Sequence, residues 1–564
     1  MDKTNKRAVL LCLLLLVCAS FAANAQVGKR LQNQEKVILF TDRSIYIVGE
    51  QVSFSATLFD ADSLNGHPSS QIVYCELITP DGSKISGEKF LVSLCSVAGK
   101  LNIPTDLLSG TYFIRAYTKL MRNGGPGTYS YNEIRIVNPE KAELVATNTS
   151  QKTESIRKTD VSPIIGNKSL LVSTNRSKYP SRDTVYVSVK KLSGFEPKIR
   201  NICMSVVPEA AKSSHKAIPA TAETEQNKNS YFAENLGLSI NGKLNYGTDE
   251  IPIKGKRVNL SIMGEGRDFM AVRTDSSGSF FFALPEYYGS RDLFICSEKL
   301  PLKDIKIWVD NDFCTTPFQL PSASFALTEP ERDAVFKMAL NRQIDLQYIN
   351  KPVVDTVTRK KEETAFYGTP TSIIFLDQYI QLPTLEDYFN ELRSQVKVRK
   401  QKGEPYFNVI GNSDVSFYEP LVMIDWVAVD EPSKILAISP QNVSRIEIVN
   451  QTYIKGGQTY GGIISIISKK GDFAGIDLPS TGIFINYRFL TQSWQPEVNN
   501  QLNSYTPDTR NTLLWQPMIS LQEDKEMTFT FLAPDTPGKY VVFLEGVTEY
   551  GEIVSKACTF ETYN

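Results

Sequence analysis

Residues 420–471 constrain the fold more than any other stretch, because short apolar runs alternate there with turn residues. Leu421–Ile424 is an apolar run of strand length, and a helix-sized spacer follows it. Residues 445–449 alternate polar with apolar side chains, as a half-buried strand does. Paired glycines then precede a second apolar run, Ile463–Ser468. The pattern predicts a strand, a short helix, a strand, a glycine turn and a strand.

Five elements of this stretch stand in the order found in a known family. They are residues 422–425, Pro440 with Val443, residues 446–448, Tyr460-Gly461-Gly462 and Lys469-Lys470-Gly471. In this order they resemble the plug domain of TonB-dependent outer-membrane receptors. Trp426 departs from the pattern, because the family prefers glycine there. A bulky residue at a positive φ costs about 1–2 kcal/mol, so we expect this turn to have been rebuilt.

The paired glycines of this stretch are the candidate surface for binding a partner. The proposed loop comprises Gly456, Gly457, Tyr460, Gly461 and Gly462. The structural alternative is a turn that merely needs glycine at positive φ.

A basic run precedes the plug-like stretch. It consists of Arg393, Lys397, Arg399, Lys400 and Lys402. Such a run is most often a solvated face, and the functional alternative is docking on an acidic partner or on lipid headgroups.

The N-terminus has the features of a secretory signal peptide. Lys3, Lys6 and Arg7 precede an apolar run over residues 8–22, and Ala23-Asn24-Ala25 supplies small residues for cleavage. Residues 1–25 are therefore predicted to be a signal peptide. No later apolar run approaches the roughly 18 residues that span a bilayer. We expect an exported protein, periplasmic or associated with the outer membrane or cell surface, with no transmembrane segment of its own after signal removal.

Residues 37–140 contain short alternating strands separated by turns, which predicts a β-sandwich. Thr41-Asp42-Arg43-Ser44-Ile45-Tyr46 followed by Gly49-Glu50 resembles the opening of a macroglobulin-like domain of the alpha-macroglobulin family, and Ser109-Gly110-Thr111-Tyr112 resembles a later strand. The family traps proteases through a Cys-Gly-Glu-Gln thioester. Here Val48 precedes Gly49-Glu50-Gln51, and the thioester motif is absent. The resemblance therefore implies a spacer or binding sandwich without covalent trapping.

The remaining chain divides into further modules. Residues 166–210 repeat the strand pattern of the first sandwich and form a second β module. Residues 231–312 resemble the noncatalytic carboxypeptidase regulatory-like sandwich, most clearly from Thr274 to Phe282. Residues 313–365 are predicted to be a helical segment and linker.

Within that segment, a capping box at residues 328–331 predicts a helix through about Tyr348. Its predicted apolar positions are Val335, Phe336, Ala339, Leu340 and Ile344. The plug-like domain follows over residues 366–475, and residues 476–564 are predicted to be a C-terminal sandwich. There Gly538-Lys539-Tyr540 repeats the Gly-x-Tyr strand start of Gly110, and residues 510–517 also resemble a macroglobulin-family segment.

The predicted fold class is therefore mainly β and multidomain, with tandem immunoglobulin-like or macroglobulin-like sandwiches and one α+β plug-like domain near the C-terminus. Six cysteines lie beyond the signal peptide. Export permits disulfides, and Cys75 with Cys95 is the favoured pair because both lie in neighbouring strand-like runs. Six free thiols are the alternative.

Charge and composition limit the function. Lys plus Arg number 61 against 62 for Asp plus Glu, so no net field favours nucleic acid. The only two histidines, His67 and His215, leave almost no material for a His-based triad or a multi-His zinc site. We predict no catalytic, cofactor-binding or metal-binding residues and no enzyme activity.

The favoured hypothesis is a noncatalytic envelope scaffold that presents the plug-like domain to an outer-membrane or cell-surface protein. One alternative is protease binding, as an endopeptidase inhibitor without a thioester. Another is an accessory role in TonB-dependent nutrient uptake. The 93 residues after Gly471 are too few for a receptor barrel, so we expect no import through this chain alone.

Overall fold

The computed structural model describes most of the chain beyond the N-terminal 34 residues. The described residues are 35–60, 67–145, 165–166, 170–194, 198–212, 218, 231–247, 250–263, 268–300, 304–321, 325–348, 365–392, 395–455, 457–495 and 507–563. Strands account for 48% of the structure and helices for 13%, which confirms the mainly β, multidomain fold class. The predicted signal peptide lies outside the described residues.

The chain forms two compact units, one built from three separate stretches of sequence and the other from two. One unit, here called the framework unit, spans Met1–Asn235, Phe313–Pro352 and Thr491–Asn564. The other, here called the inserted unit, spans Leu236–Asp312 and Val353–Leu490. The chain therefore leaves the framework unit twice and returns to it twice.

The first sandwich lies in the framework unit and has two sheets, in which all strand pairs are antiparallel except one. Its strands are β1 (Glu35–Thr41), β2 (Ile45–Ile47), β3 (Gln51–Asp60), β4 (Ile72–Ile78), β5 (Lys84–Leu91), β6 (Ser96–Asn102), β7 (Gly110–Tyr117) and β8 (Ser130–Val137). One sheet has the order β1-β3-β6 and the other β2-β8-β7-β4-β5. Nearly all side chains of β3, β4 and β7 are buried, rather than only the alternate ones that the sequence pattern predicts for a sandwich.

The second sandwich also lies in the framework unit, and its strands come from two distant parts of the chain. They are β9 (Ile165–Gly166), β10 (Leu170–Thr174), β11 (Lys178–Pro180), β12 (Thr184–Lys191), β13 (Ile199–Pro208), β31 (Leu514–Gln516), β32 (Glu526–Leu532), β33 (Gly538–Thr548) and β34 (Ile553–Tyr563). One sheet has the order β10-β12-β32 and the other β11-β34-β33-β13-β31.

The sequence pattern predicts separate modules for residues 166–210 and 476–564, whereas strands from both ranges pair in the same two sheets. Val185 stands opposite Phe531 in one sheet, and Met204 stands opposite Leu544 in the other. Each half alone would leave strand edges unpaired and one apolar face in water. When the two halves join, the strand edges pair and the apolar faces are buried against each other.

The two sandwiches have the same topology. The order β1-β3-β6 corresponds to β10-β12-β32, and β2-β8-β7-β4-β5 corresponds to β11-β34-β33-β13-β31. In each case the short second strand pairs in parallel with the last strand. The framework unit therefore contains one architecture twice, and in the second copy a long insertion separates the fourth strand from the fifth.

The third sandwich lies in the inserted unit. Its strands are β14 (Ser239–Tyr246), β15 (Ile251–Pro252), β16 (Arg257–Ile262), β17 (Asp268–Arg273), β18 (Ser279–Ala283), β19 (Ser290–Ser297), β20 (Ile305–Val309) and β30 (Ile483–Arg488). One sheet contains β15-β14-β18 with β20 on the other edge of β14, and the second has the order β17-β16-β19-β30. Strand β30 falls in the range assigned to a C-terminal sandwich, yet it pairs with β19 here.

A mixed domain of strands and helices completes the inserted unit. Its elements are β21 (Ser372–Phe375), α2 (Leu385–Glu391), β22 (Val396–Gln401), β23 (Glu404–Val409), β24 (Leu421–Ile424), β25 (Val427–Ala428), α3 (Pro432–Leu436), β26 (Val443–Val449), β27 (Tyr453–Lys455), β28 (Gln458–Tyr460) and β29 (Ile463–Ser468). The central sheet has the order β21-β26-β29-β24-β25. Elements β24, α3, β26, the glycine turn and β29 confirm the predicted strand, helix, strand, turn and strand.

The central sheet of the mixed domain is covered on both faces. On one face Ile446, Ile464 and Ile466 pack with the helices, including Tyr388 and Ile435. The other face joins the third sandwich in a second apolar cluster. That cluster contains Phe269, Ala271, Tyr367, Leu421, Met423, Trp426, Ala428, Val449, Tyr460 and Ile463.

Helix α1 (Glu329–Tyr348, numbered first because it precedes α2 in the chain) belongs to the framework unit. The Glu331 carboxylate accepts a hydrogen bond from the Thr328 backbone N–H at 2.8 Å, consistent with the predicted capping box. The buried face includes Val335 and Met338, whereas Phe336, one of the predicted apolar positions, is 70% exposed. No helix of the described residues combines the length and apolarity needed to cross a membrane.

Candidate functional site

The proposed partner-binding loop forms a β-hairpin in the mixed domain. Strands β27 and β28 pair from Tyr453 opposite Tyr460 to Lys455 opposite Gln458. Gly456 lies outside the described residues. Gly457 has φ +73° at the turn, and a side chain there would meet no neighbouring atom within 4 Å. The tip of the hairpin is therefore open to solvent, and its glycine serves the backbone conformation.

Tyr460 faces the interior of the inserted unit. Its exposed fraction is 3%, and it packs in the cluster that contains Phe269 and Ala271. Burial raises the pKa of Tyr460 to about 12. The hydroxyl has no hydrogen-bond partner among the described atoms. Tyr460 thus joins the mixed domain to the third sandwich rather than facing solvent.

Gly461 and Gly462 allow two backbone segments to approach closely. A Cβ at Gly461 would lie 2.1 Å from the Tyr418 carbonyl oxygen and 2.3 Å from that of Val415. Gly462 has φ +91°. The Leu421 N–H donates to the Gly462 carbonyl at 3.0 Å. These glycines hold the segment that leads into β24 against the hairpin.

Large exposed apolar side chains occur on this hairpin and on the chain segments beside it, and they were not singled out from the sequence. Four of them are between 48% and 77% exposed: Ile410, Phe417, Tyr418 and Ile454. Exposed apolar side chains on neighbouring segments are typical of interaction surfaces. We call these four side chains, together with the tip at Gly457, the hairpin surface. The adjacent Phe417-Tyr418 pair before Pro420 was the available sequence signal.

The turn at Trp426 retains positive φ. Asp425 has φ +42° and Trp426 has φ +73°. The Asp425 carboxylate accepts hydrogen bonds from the Ser468 backbone N–H at 2.8 Å, the Ser468 hydroxyl at 2.6 Å and the Phe473 N–H at 2.9 Å. The Trp426 side chain is buried, and the centroid of its ring lies 5.9 Å from that of the Tyr367 ring. The expectation of a rebuilt turn was wrong, because packing and hydrogen bonds offset the strain.

Cys75 and Cys95 are both free thiols in the structure. Cys75 lies on β4 and is completely buried, and burial raises the pKa of its thiol well above the ordinary value. Cys95 lies in a turn with φ +63°, and its Sγ is 3.8 Å from Nδ1 of His67. The structure therefore does not form the disulfide that the sequence analysis favoured.

The macroglobulin-like motif builds a buried network in the first sandwich. The Tyr46 hydroxyl donates to Oδ1 of Asp42 at 2.6 Å. The Arg43 guanidinium lies over the Tyr46 ring at 4.6 Å and forms an ion pair with Glu50 at 3.0 Å. The Thr512 hydroxyl donates to Oδ2 of Asp42 at 2.6 Å, so the network also ties the first sandwich to the segment before β31.

The second sandwich contains the same network with the same spacing. The Tyr179 hydroxyl donates to Oδ1 of Asn175 at 2.5 Å. Arg176 lies over the Tyr179 ring at 4.9 Å and pairs with Asp183 at 2.6 Å. Residues 174–179 read Thr-Asn-Arg-Ser-Lys-Tyr, against Thr-Asp-Arg-Ser-Ile-Tyr at 41–46. Alignment of these two hexapeptides was the signal that would have revealed the duplication.

The Gly-x-Tyr strand starts are also equivalent. The Tyr112 hydroxyl donates to the Leu108 carbonyl at 2.8 Å, and the Tyr540 hydroxyl donates to the Thr536 carbonyl at 2.9 Å. Each tyrosine bonds to the backbone four residues upstream, as in the tyrosine corner of other sandwiches. These motifs therefore stabilise the sandwiches.

Within the described stretches, no group of three or more His, Cys, Asp or Glu side chains has the arrangement of a metal site. The hairpin surface carries apolar and glycine residues rather than acids, bases or nucleophiles.

No protein-family model and no curated protein matches the chain. Among solved structures, it is similar to trypsin-activated alpha-2-macroglobulin from Escherichia coli, with a TM-score of 0.23 and 9% identity over 94% of this chain and 41% of that chain. Salmonella alpha-2-macroglobulin reacted with methylamine gives a TM-score of 0.24 and 10% identity, over 94% of this chain and 39% of that one.

A third similar structure is dimeric latent PorU from Porphyromonas gingivalis, with a TM-score of 0.15 and 12% identity over 52% of this chain and 34% of that chain. The chain spans about two fifths of the length of these macroglobulin chains. TM-scores in this range do not establish a shared fold.

Proposed function

We propose that this protein is a noncatalytic, exported scaffold of the cell envelope that binds an outer-membrane or cell-surface protein through the mixed domain. The hairpin surface is the observation that carries this proposal. Its four apolar side chains are between 48% and 77% exposed, and they lie on segments whose backbones approach one another closely. Binding to another protein would remove this apolar surface from water.

The architecture supports a structural role for the framework unit and a binding role for the inserted unit. Both sheets of each duplicated sandwich consist of strands from the framework unit, and each sandwich contains the motif network. The inserted unit has its own apolar clusters. A self-contained framework with an inserted binding unit fits a scaffold.

The plug-like sequence pattern supports a partner in the outer membrane, and an accessory role in TonB-dependent uptake is the specific form of this proposal. The predicted signal peptide supports export. The plug-like pattern and the predicted signal peptide are properties of the sequence. The experiment that identifies the partner also tests where in the envelope the protein is located.

Capture from envelope extracts tests the proposal. Immobilised full-length protein is expected to retain a membrane protein, and the double variant Ile454→Ser with Phe417→Ser is expected to lose it. The control is Phe336→Ser, which removes an equally exposed phenylalanine from helix α1. Recovery of no membrane protein, or equal recovery with the double variant, would count against the proposal.

Protease binding is a second candidate, favoured by the macroglobulin-like motif that occurs in both sandwiches. Incubation with a panel of proteases tests it directly. A stable complex that forms with cleavage would support this function, and unhindered protease activity without a complex would exclude it.

A further inference from the structure

The mixed domain carries a two-stranded ribbon, β22 with β23, that is separate from its central sheet. Lys402 and Gly403 join the strands with φ values of +52° and +90°, which suits a tight hairpin turn. At the base, Val396 pairs with Val409, and both side chains are buried in the domain core. The base therefore anchors the ribbon, and the turn end lies away from that apolar contact.

The turn end of the ribbon is strongly basic. Arg399, Lys400 and Lys402 are exposed, and Glu404 is the sole acidic residue within positions 396–409. Among the described contacts, no ion pair or hydrogen bond involves these three basic side chains. Of the other two residues of the predicted basic run, Lys397 donates from its Nζ to the Asn390 carbonyl at 2.9 Å, and Arg393 lies outside the described residues. Three cations thus share a short hairpin with a single carboxylate, and none of the three is in an ion pair with another described residue.

A solvated face that discourages edge-to-edge strand pairing is the alternative explanation, since exposed lysines serve that role on short strands. Two features favour a ligand. The chain as a whole is nearly neutral, so the basic cluster is a local feature. Tyr406 stands opposite Arg399 on the ribbon and is exposed. Its ring is apolar and its hydroxyl polar, a combination suited to the headgroup region of a membrane.

We propose that this basic ribbon docks on a membrane surface through the phosphates of anionic phospholipid headgroups. The charges are complementary, and a guanidinium can bind phosphate oxygens through two parallel hydrogen bonds. Each cation near an anionic leaflet strengthens binding by roughly fivefold. The ribbon is distinct from the hairpin surface, so this inference is independent of the proposed protein partner.

Vesicle cosedimentation of the full-length protein tests the inference. Vesicles of phosphatidylcholine with about one third phosphatidylglycerol are expected to bind the protein, and pure phosphatidylcholine vesicles are not. Binding is expected to weaken when salt rises from about 0.1 M to about 0.5 M, because the Debye length shortens. The triple variant Arg399→Gln, Lys400→Gln, Lys402→Gln should bind on the order of 100-fold more weakly.

The matched control removes three exposed lysines elsewhere in the inserted unit: Lys254→Gln, Lys469→Gln and Lys470→Gln. It has the same net charge as the ribbon variant and is expected to bind like the wild type. Equal losses in both variants would attribute binding to net charge and overturn the inference. A wild type that binds immobilised polyglutamate but not the anionic vesicles would overturn it in favour of an acidic protein. Unchanged thermal unfolding of both variants verifies that they fold.

Discussion

Tyr46 in the first sandwich and Tyr179 in the second occupy equivalent positions: each hydroxyl donates a hydrogen bond to the side chain four residues upstream. An arginine three residues before each tyrosine lies over its ring. The acceptor differs, being the carboxylate of Asp42 in one case and the amide of Asn175 in the other. The duplicated sandwich is thus built around the same local network.

Tyr46→Phe is expected to destabilise the framework unit by about 1–3 kcal/mol, because the buried Asp42 carboxylate loses a donor. Tyr179→Phe should cost less, because its acceptor is a neutral amide. Denaturant unfolding of the full-length protein measures both. Equal effects of the two substitutions would show that the acceptor charge is unimportant.

The ion pair of Glu331 with Arg135 predicts a dependence of stability on pH. The Arg135 hydrogen bonds lower the pKa of Glu331 to about 2. A depressed folded-state pKa stabilises the protein above the unfolded value of about 4.3, and this contribution disappears as pH falls toward about 2. Glu331→Gln should therefore lower stability at neutral pH by about 1–2 kcal/mol, allowing for partial solvent screening, and flatten the acid limb of the profile.

Urea midpoints across that pH range measure the effect of Glu331→Gln. Glu561→Gln is the control, because Glu561 pairs with Lys178 in solvent, where an ion pair contributes little. An acid limb as steep in Glu331→Gln as in the wild type would contradict the role of the Arg135 contact.

The substitution Trp426→Gly compares two opposing contributions to the free energy of unfolding, the backbone strain at residue 426 and the packing of its indole ring. Glycine relieves about 1–2 kcal/mol of strain at positive φ. Loss of the buried indole costs about 3–5 kcal/mol. We expect a net loss of about 2 kcal/mol in the free energy of unfolding. A stabilised variant would show that the packing against Tyr367 is weak.

The two glycine positions of the hairpin should respond differently to alanine. Gly461→Ala places a Cβ against two carbonyl oxygens and should unfold or severely destabilise the mixed domain. Gly457→Ala meets only the cost of positive φ, about 1 kcal/mol, because the surrounding space is open. Thermal unfolding distinguishes them, and similar melting temperatures would refute the close approach at Gly461.

Truncation tests the joining of distant halves in the second sandwich. Removal of residues 507–563 takes β32 from one sheet and β31, β33 and β34 from the other. We expect the amides of β10 and β12 to exchange rapidly with deuterium, while those of the first sandwich stay protected. Persistent protection of β12 would mean that residues 166–210 fold without their distant partners.

The sequence by itself determined the local features of this protein. Alternation of polar and apolar residues predicted strands such as β26 and β33, and the order of elements around Trp426 followed from apolar runs and turn residues. The glycine hairpin was also predictable, because glycine at positive φ is a local requirement.

Only the tertiary structure decided which distant elements join. The pairing of β13 with β33 and of β19 with β30, and the burial of Tyr460 but not Phe336, depend on contacts between residues far apart in the chain. Periodicity shows that a strand or helix has an apolar face, and it does not identify the surface that covers this face. The packing of the whole unit decides which surface covers each apolar face, because strand edges pair and apolar surface is buried in the same step.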